Sequence, residues 1–161
     1  METKSFNPQE GGCTCAQVRY TLLQAPMIVH CCHCTWCQRE TGSSFALNAL
    51  VEAAAVQLMR GTPKLVNTPS NSGYGQEIMR CPSCEVALWS HYSAARRAVS
   101  FVRIGTLDHP GLFPPDIHIF TAAKQPWIEL NDSIPSVDGY YRRSEVWPAA
   151  SMERYQRALG K

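Results

Sequence analysis

Short runs in which apolar and polar residues alternate follow one another along most of this chain, and turn-forming residues separate them. A period of two is typical of β-strands that bury one face, and the 11 prolines and 10 glycines mark frequent turns. A turn at 71–75 predicts the tip of a hairpin. We predict strands at 13–22, 27–31, 45–51, 56–60, 76–80, 99–104 and 117–120. This pattern favours a mainly β fold of antiparallel sheets with few short helices.

Helical periodicity is limited to two short segments. Residues 35–41 predict one or two helical turns that end at Gly42, since glycine is favoured just past the C-terminus of a helix. Residues 151–159 predict a second helix, starting at Ser151, with apolar residues at helical spacing. The chain shows no internal repeat, low-complexity tract or linker, so we expect one domain over residues 1–161.

The composition argues against several classes of function. Charged residues make up 17% of the 161 residues and the net charge is +2, with no basic run, so we expect no nucleic-acid partner. No apolar stretch approaches the roughly 20 residues of a membrane span, and the N-terminus lacks the apolar core of a secretion signal. We therefore expect a cytoplasmic protein with no membrane partner. The sequence leaves the oligomeric state open.

The eight cysteines carry the strongest chemical signal in the sequence. Seven of them form closely spaced groups, at 13 and 15, at 32, 34 and 37, and at 81 and 84, and Cys31 lies beside the second group. Thiolate sulfur is a preferred ligand of zinc, and a reducing compartment favours metal binding over disulfides. Seven cysteines divide as four and three, which predicts two zinc ions per chain.

The first predicted zinc site joins two distant segments, each of which supplies two sulfurs. Pro82 and Ser83 shape the second segment as a turn that aims both of its thiolates inward. Four thiolates complete the coordination of a structural zinc, and the free energy of its binding contributes to folding. The predicted ligands are Cys13, Cys15, Cys81 and Cys84.

The second predicted zinc site has three sulfurs, from Cys32, Cys34 and Cys37. Adjacent residues of an extended segment seldom reach the same ion, so Cys31 is not an expected ligand, and the ring of His33 should point away from the metal. The fourth position is then open to water or to a substrate thiol. A closed structural site, completed by Cys31 or His33, is the alternative.

The number of ligands predicts the kind of chemistry at the second site. Three thiolates give a zinc site a net charge of −1, which weakens the metal as an activator of water. Such a site is instead suited to lowering the pKa of a bound thiol and holding it as a nucleophilic thiolate. We therefore predict thiol chemistry rather than hydrolysis, with Cys32, Cys34 and Cys37 as the catalytic group.

A family resemblance follows from the cysteine groups and the residues that flank them. The motifs are Gly11-Gly12-Cys13-x-Cys15 followed by Val18-Arg19-Tyr20, Cys32-His33-Cys34-x-x-Cys37 followed by Thr41-Gly42-Ser43, Cys81-x-x-Cys84, Gly105-Thr106-Leu107-Asp108, His118-Ile119 and Lys124-x-x-Trp127-Ile128. In this order and spacing they resemble the glutathione-dependent formaldehyde-activating enzyme family, which also contains the centromere protein V group. The resemblance covers residues 11 to about 138.

The resemblance implies a β-tent fold, in which antiparallel sheets stack with zinc at their edges. It also implies a structural zinc on the four cysteines of the first site and a catalytic zinc on the three cysteines of the second. The implied activity joins glutathione and formaldehyde to give S-hydroxymethylglutathione.

We therefore expect a zinc-dependent carbon–sulfur lyase. Its substrate would be the adduct of a small, glutathione-like thiol and a formaldehyde-like aldehyde, with the thiol bound to the three-cysteine zinc. The alternative is a non-catalytic zinc-binding module that binds a thiol ligand or a protein partner.

Three residues depart from the family pattern. Ala16 and Glu85 stand where glycine is usual, each directly after the second cysteine of a pair, and a left-handed backbone is common at the position of Glu85. Gln38 stands where many members have arginine, which could change the charge beside the second zinc. None of the three replaces a predicted metal ligand.

A few further residues fit a structural or a functional role. Asp108 is expected to orient a loop rather than to act as a base, and His118 fits a pocket wall or a hydrogen-bonded structural position equally well. Trp89 and Trp127 are expected in the core or in a pocket wall. Residues 140–143 are expected to form an exposed, moderately basic segment.

Overall fold

The computed structural model describes residues 6–95 and 97–161. Over these residues the chain forms ten strands and three short α-helices, so the prediction of a mainly β fold is confirmed. The strands are β1 (Gln9–Gly12), β2 (Arg19–Leu22), β3 (Ile28–Cys32), β4 (Ala46–Glu52), β5 (Val56–Arg60), β6 (Lys64–Thr68), β7 (Gln76–Arg80), β8 (Ala87–Tyr92), β9 (Val99–Arg103) and β10 (Ile117–Ile119). The helices are α1 (Thr35–Thr41), α2 (Arg143–Val146) and α3 (Ala149–Ala158).

The strands form two sheets. The small sheet has the order β1-β2-β5, and the large sheet has the order β10-β3-β4-β9-β8-β7-β6. Neighbouring strands are antiparallel except at one edge of the large sheet, where β10 runs parallel to β3. This parallel pairing sets His118 opposite Cys31 and Ile119 opposite Cys32. The cysteine-rich strand therefore has a partner on both sides.

Two hydrophobic cores lie on the two faces of the large sheet. In the first, between the sheets, Tyr20 of β2 meets Trp89 of β8 edge to face, with 5.5 Å between ring centroids. In the second, Leu50 of β4 belongs to the same cluster as Trp147 and Tyr155 of the C-terminal segment. Alternate side chains of a strand point to opposite faces, so the central strands fill both cores and read as nearly continuous apolar runs.

The predicted strands agree with most of the structure. Every predicted strand after residue 26 matches an observed one to within one residue at each end. The predicted strand 13–22 is too long, because only 19–22 pairs and residues 13–18 fold into a turn. Strands β1, β6 and β8 lie outside the predictions. β6 is mostly exposed and β8 buries three consecutive residues, so neither shows the alternation that predicts a strand.

The helices follow the predictions at α1 and differ from them at the C-terminal end. Helix α1 begins after Cys34, its N-cap, and ends at Gly42, which has a left-handed backbone with φ 65°. Helix α3 begins at Ala149 rather than at the predicted Ser151. Ser151 lies inside the first turn, where its hydroxyl donates a hydrogen bond to the Met27 carbonyl at 2.7 Å and fixes the helix to the chain before β3. In the described part of the chain, no helix has the length and apolar character to cross a membrane.

Candidate metal centres and the cavity beside them

The first cluster of cysteines brings together two turns of the chain that are distant in sequence. The sulfurs of Cys13 and Cys15 lie 3.5 Å apart, and those of Cys15 and Cys81 lie 3.7 Å apart. All four sulfurs, including that of Cys84, lie within 4.8 Å of one another. The structure thus brings together the four cysteines that the sequence predicts for the first site.

The two turns are built in the same way. The N–H of Cys13 donates to the carbonyl of Val18 at 3.1 Å, and the N–H of Cys81 donates to the carbonyl of Val86 at 3.0 Å. The residue after the second cysteine has a left-handed backbone in both turns, with φ 58° at Ala16 and φ 62° at Glu85. This is the conformation that glycine adopts at no steric cost, so the two departures from the family pattern fall on strained positions.

The spacing and chemistry of the first cluster fit a zinc ion. Tetrahedral coordination with bonds of about 2.3 Å places thiolate sulfurs about 3.8 Å apart, close to the observed distances. All eight cysteines of the chain are free thiols. Hydrogen bonds from the backbone at Cys15 and Val86 lower the pKa of Cys84 to about 6, so one thiol of the cluster favours the thiolate that a metal requires.

The second cluster lies at the end of β3 and the start of α1. The sulfurs of Cys32, Cys34 and Cys37 lie within 4.8 Å of one another, so they could hold a metal ion together. Cys34 caps α1, because its sulfur accepts a hydrogen bond from the N–H of Cys37 at 3.3 Å. Hydrogen bonds from the Cys32 thiol, and then from the Cys37 thiol, lower the pKa of Cys34 to about 3. The helix start therefore favours the thiolate form of Cys34, beside the sulfurs of Cys32 and Cys37.

Cys31 and His33 lie on the other face of β3, grouped with His118 of β10 and apart from the three-cysteine cluster. Nε2 of His33 lies 3.6 Å from the Cys31 sulfur and 3.0 Å from Nδ1 of His118. Nitrogen ligands of one tetrahedral zinc would lie about 3.3 Å apart, so the shorter distance fits a direct hydrogen bond between the rings.

His33 and His118 are therefore a buried hydrogen-bonded pair between β3 and β10. Burial, and then the neighbouring His118, lowers the pKa of His33 to about 4, which keeps its ring neutral. The sequence left two roles open for His118, a pocket wall and a hydrogen-bonded structural position. The structure has His118 in the second of these roles.

A buried arginine lies close to the three-cysteine cluster. Arg103 of β9 is 7% exposed and donates to the neutral side-chain oxygen of Asn48 at 2.5 Å. No carboxylate of the described residues forms an ion pair with it. The hydrogen bond with Cys32 lowers the pKa of Cys37, but the hydrogen bond with Cys34 and burial outweigh it and raise that pKa to about 12. Burial raises the pKa of Tyr92, and the positive charge of Arg103 opposes both rises. Because a buried charge is costly unless it is compensated, thiolates at this cluster would supply a counter-charge for Arg103.

All three cysteines of the second cluster line a cavity of about 450 Å³. This volume lies in the usual range for a small-molecule site. Most of the wall is apolar or aromatic, with Asn48 and Gln76 among the polar groups. The cavity opens on the face of the large sheet that carries the second core, so its walls include residues from β3, β4 and the C-terminal segment.

Two features of the wall combine with the cysteines to mark a functional site. Phe120, which lines the cavity, has a left-handed backbone with φ 55°, a strained conformation for a bulky residue. His30, two residues before Cys32, bonds through Nε2 to the Tyr141 hydroxyl at 2.5 Å, and Trp147 donates to the same hydroxyl at 2.7 Å. Burial, and then Arg143, lowers the pKa of His30 to about 3, so it faces the cavity as a neutral ring.

The sequence did not predict Phe120 and His30 as wall residues, and it predicted the environment of some other residues wrongly. Residues 140–143 are not simply exposed, since Tyr141 and Arg143 are half-buried and Arg143 lines the cavity. Trp127 is 72% exposed, so its prediction as a core or wall residue is wrong, whereas Trp89 lies in the core as predicted.

Gln38 and Asp108 both have structural roles. Gln38 donates to the carbonyls of His33 and Ala123, at 2.7 and 2.9 Å, and is not part of the cavity wall. Asp108 accepts two hydrogen bonds from Arg19, at 2.9 and 2.5 Å, and so orients a loop, as expected. Only the spatial pairing of distant segments could have revealed the missed wall residues, because none lies in a motif.

The chain is similar to one known protein family. A search of curated proteins finds no match. Among solved structures, a crystal structure of a Rhodobacter sphaeroides protein from a structural genomics programme aligns with a TM-score of 0.47 and 15% identity, covering 80% of this chain and 99% of the other. The family model described as glutathione-dependent formaldehyde-activating enzyme matches residues 8–123, which is more than half of the chain. The chain therefore belongs to the glutathione-dependent formaldehyde-activating enzyme family.

Proposed function

We propose that this chain is a zinc-dependent carbon–sulfur lyase acting on the adduct of a small thiol and an aldehyde. Membership of the family indicates chemistry related to glutathione and formaldehyde. The observation that carries the proposal is that Cys32, Cys34 and Cys37 converge on the wall of a small-molecule cavity. The cysteines of the first cluster are not part of that wall. We therefore assign the reaction to the three-cysteine cluster.

The three cysteines would serve as zinc ligands and leave the ion accessible to a thiol from the cavity. Bound zinc would lower the pKa of that thiol and hold it as a thiolate at neutral pH. Arg103, through its buried positive charge, would offset the negative charge that the thiolates bring. The apolar walls would exclude water, which strengthens these interactions.

The reaction balances without an oxidant or a reductant. In the forward direction a bond forms between the thiol sulfur and the carbonyl carbon, and the π bond of the carbonyl breaks. The proton of the thiol ends on the new hydroxyl oxygen. In the reverse direction the adduct releases the aldehyde and regenerates the thiol.

We assign the first cluster to a structural zinc. Cys13 and Cys81 are buried in the core between the two sheets, and Cys81 is fully inaccessible. A zinc ion on these cysteines would tie the turn before β2 to the turn between β7 and β8. Two zinc ions per chain and the β-tent arrangement of the family are part of the same proposal.

Exchange spectroscopy tests the activity. Zinc-loaded protein should accelerate the exchange of formaldehyde between free glutathione and its adduct, measured by NMR, above the rate without protein. The matched control is Cys37→Ser, which keeps the first cluster and should return the rate to the uncatalysed value. An exchange rate that the intact protein leaves unchanged for glutathione and for 4-(mercaptomethyl)benzoate alike would refute the lyase assignment.

The second candidate function is a non-catalytic zinc module that binds a thiol. Cobalt substitution distinguishes this module from the enzyme. Glutathione should intensify the sulfur-to-cobalt charge-transfer band, whereas S-methylglutathione, which cannot ionise at sulfur, should not. A changed band without faster exchange favours the binding module. A changed band with faster exchange favours the enzyme.

A further inference from the structure

One wall of the cavity comes from the part of the chain beyond the family match. The match ends at residue 123, whereas Tyr140, Arg143 and Tyr155 all line the same cavity as the three cysteines. The inference drawn from this wall rests on the proposed function, because it concerns the substrate of the same site.

The C-terminal wall is held in place by specific contacts. Arg154 of α3 donates two hydrogen bonds to the carboxylate of Glu52 at the end of β4, at 2.8 and 2.7 Å. Although burial raises the pKa of Glu52, the hydrogen bond from Arg154 holds it below its usual value. Ser151 bonds to the Met27 carbonyl before β3, and Trp147 bonds to Tyr141 at 2.7 Å. The wall is therefore fixed to β4 and to the chain just before β3, the strand that carries Cys32.

The walls of this cavity are rich in aromatic residues and contain one side chain with a permanent positive charge. Among the described residues that line the cavity, none is an aspartate or a glutamate, and Arg143 is the one side chain with a permanent charge. The aromatic members of the wall are Trp36, Tyr74, Tyr92, Phe101, Phe120, Tyr140 and Tyr155. Such a lining favours a ligand with an apolar body and offers no partner to an ammonium group.

Arg143 is placed to receive an anion. Its guanidinium carbon lies 4.6 Å from the centre of the Tyr155 ring and 6.0 Å from that of Trp147, so stacking fixes its plane. No carboxylate of the described residues forms an ion pair with it, and its Nε is buried without a hydrogen-bond partner. The neighbouring Arg142 points elsewhere, and its Nη1 lies 3.6 Å from Glu145.

We propose that the substrate of this site carries one carboxylate on an aromatic or other apolar body. The carboxylate pairs with Arg143, and the reacting sulfur of the substrate lies beside the cluster of Cys32, Cys34 and Cys37. Glutathione fits this wall poorly, because it is a tripeptide with two carboxylates and an ammonium group. The wall offers one cation for the carboxylates and no acidic group for the ammonium. The segment after the family match thus determines which thiol adduct is accepted.

Thiol titrations of the cobalt-substituted full chain test this proposal. The probes are 4-(mercaptomethyl)benzoate, benzyl mercaptan, which lacks the carboxylate, and glutathione, each followed by the sulfur-to-cobalt charge-transfer band. We expect 4-(mercaptomethyl)benzoate to bind at least about tenfold more tightly than either of the others. Tighter binding of glutathione than of 4-(mercaptomethyl)benzoate would overturn the proposal and leave the proposed function intact.

Variants of Arg143 link the preference to this residue. Arg143→Gln should remove the advantage of the carboxylate and leave the affinity for benzyl mercaptan unchanged, while Arg143→Lys should recover part of the advantage because it keeps the charge. Arg142→Gln is the matched control, since that side chain is 84% exposed, and it should change nothing. An unchanged preference in Arg143→Gln would refute the role of this residue. If none of the three thiols alters the cobalt band, the proposed function fails together with the inference.

Discussion

The sulfurs of Cys31 and Cys32 lie on opposite faces of strand β3, although the two residues are adjacent in sequence. Cys32 belongs to the three-cysteine cluster and lines the cavity, whereas Cys31 contacts His33 on the face of the first core. Side chains alternate along a strand, so one segment supplies two different environments within two residues. This geometry explains why three sulfurs rather than four converge on the cavity.

Replacing Cys31 should therefore leave the metal content unchanged. Cys31→Ala should keep two zinc equivalents per chain, measured by elemental analysis of protein purified under reducing conditions. Its cobalt form should show the same charge-transfer band as the unmodified protein. The loss of one equivalent in this variant would identify Cys31 as a ligand and close the second site.

The two cysteine clusters should differ in their effect on stability. Cys84→Ser should lower the free energy of unfolding by about 4 kcal/mol or more, because the zinc of a structural site supplies folding energy. Cys37→Ser should lower it by about 1 kcal/mol and remove one zinc equivalent, because the second cluster serves the cavity. Urea denaturation of both variants, combined with elemental analysis, measures the difference. Equal destabilisation would make the second cluster structural as well.

Arg103 should affect the metal affinity of the second cluster. Arg103→Met removes the buried charge that compensates the thiolates, so zinc should dissociate from this cluster at about a tenfold lower chelator concentration. The first cluster is an internal control and should release its zinc as in the unmodified protein. Arg157→Met, a change on an exposed part of α3, is the matched control variant. Equal zinc retention in both variants would exclude a role for the charge of Arg103.

The left-handed backbone at Ala16 predicts a stabilising substitution. A non-glycine residue in this conformation costs about 1 kcal/mol, so Ala16→Gly should raise the free energy of unfolding by about that amount. The reverse change is Gly42→Ala. The added methyl group would meet open space at the end of α1, but the backbone of residue 42 has φ 65°, so the substitution should lower the free energy of unfolding by a similar amount. Urea denaturation at constant zinc concentration measures both. Loss of stability in Ala16→Gly would show that the turn is not strained.

The metal clusters could be predicted from the sequence because local spacing determines them. Two cysteines in C-x-C or C-x-x-C order can converge within one turn, and the alternation of side chains on β3 separates Cys31 from Cys32. Strands with a clear period of two could also be predicted, because their alternation is likewise a local pattern. The alternation continues through residues 13–18 before β2, so it predicts a strand there, whereas the backbone of these residues folds into a turn.

The cavity wall could not be predicted from sequence in the same way. Arg143 and His30 are more than a hundred residues apart, and only the packing of the C-terminal segment on β3 brings both to the cavity. The sequence predicts an exposed Tyr141 because nothing in its local pattern shows that it packs against His30 of β3, with 5.5 Å between the ring centroids. Tertiary contacts of this kind leave no periodic signal.

All the cysteines grouped with the two candidate metal centres precede residue 85, and the wall that contains Arg143 follows residue 139. Changes in the C-terminal wall can therefore alter which molecule enters the cavity while the metal-binding residues stay the same. A chimaera that takes residues after 123 from another member of the family would retain both cysteine clusters and acquire a different C-terminal wall. In this arrangement the proposed reactivity and the proposed choice of substrate depend on separate parts of the chain, so they would be open to independent evolution and to separate engineering.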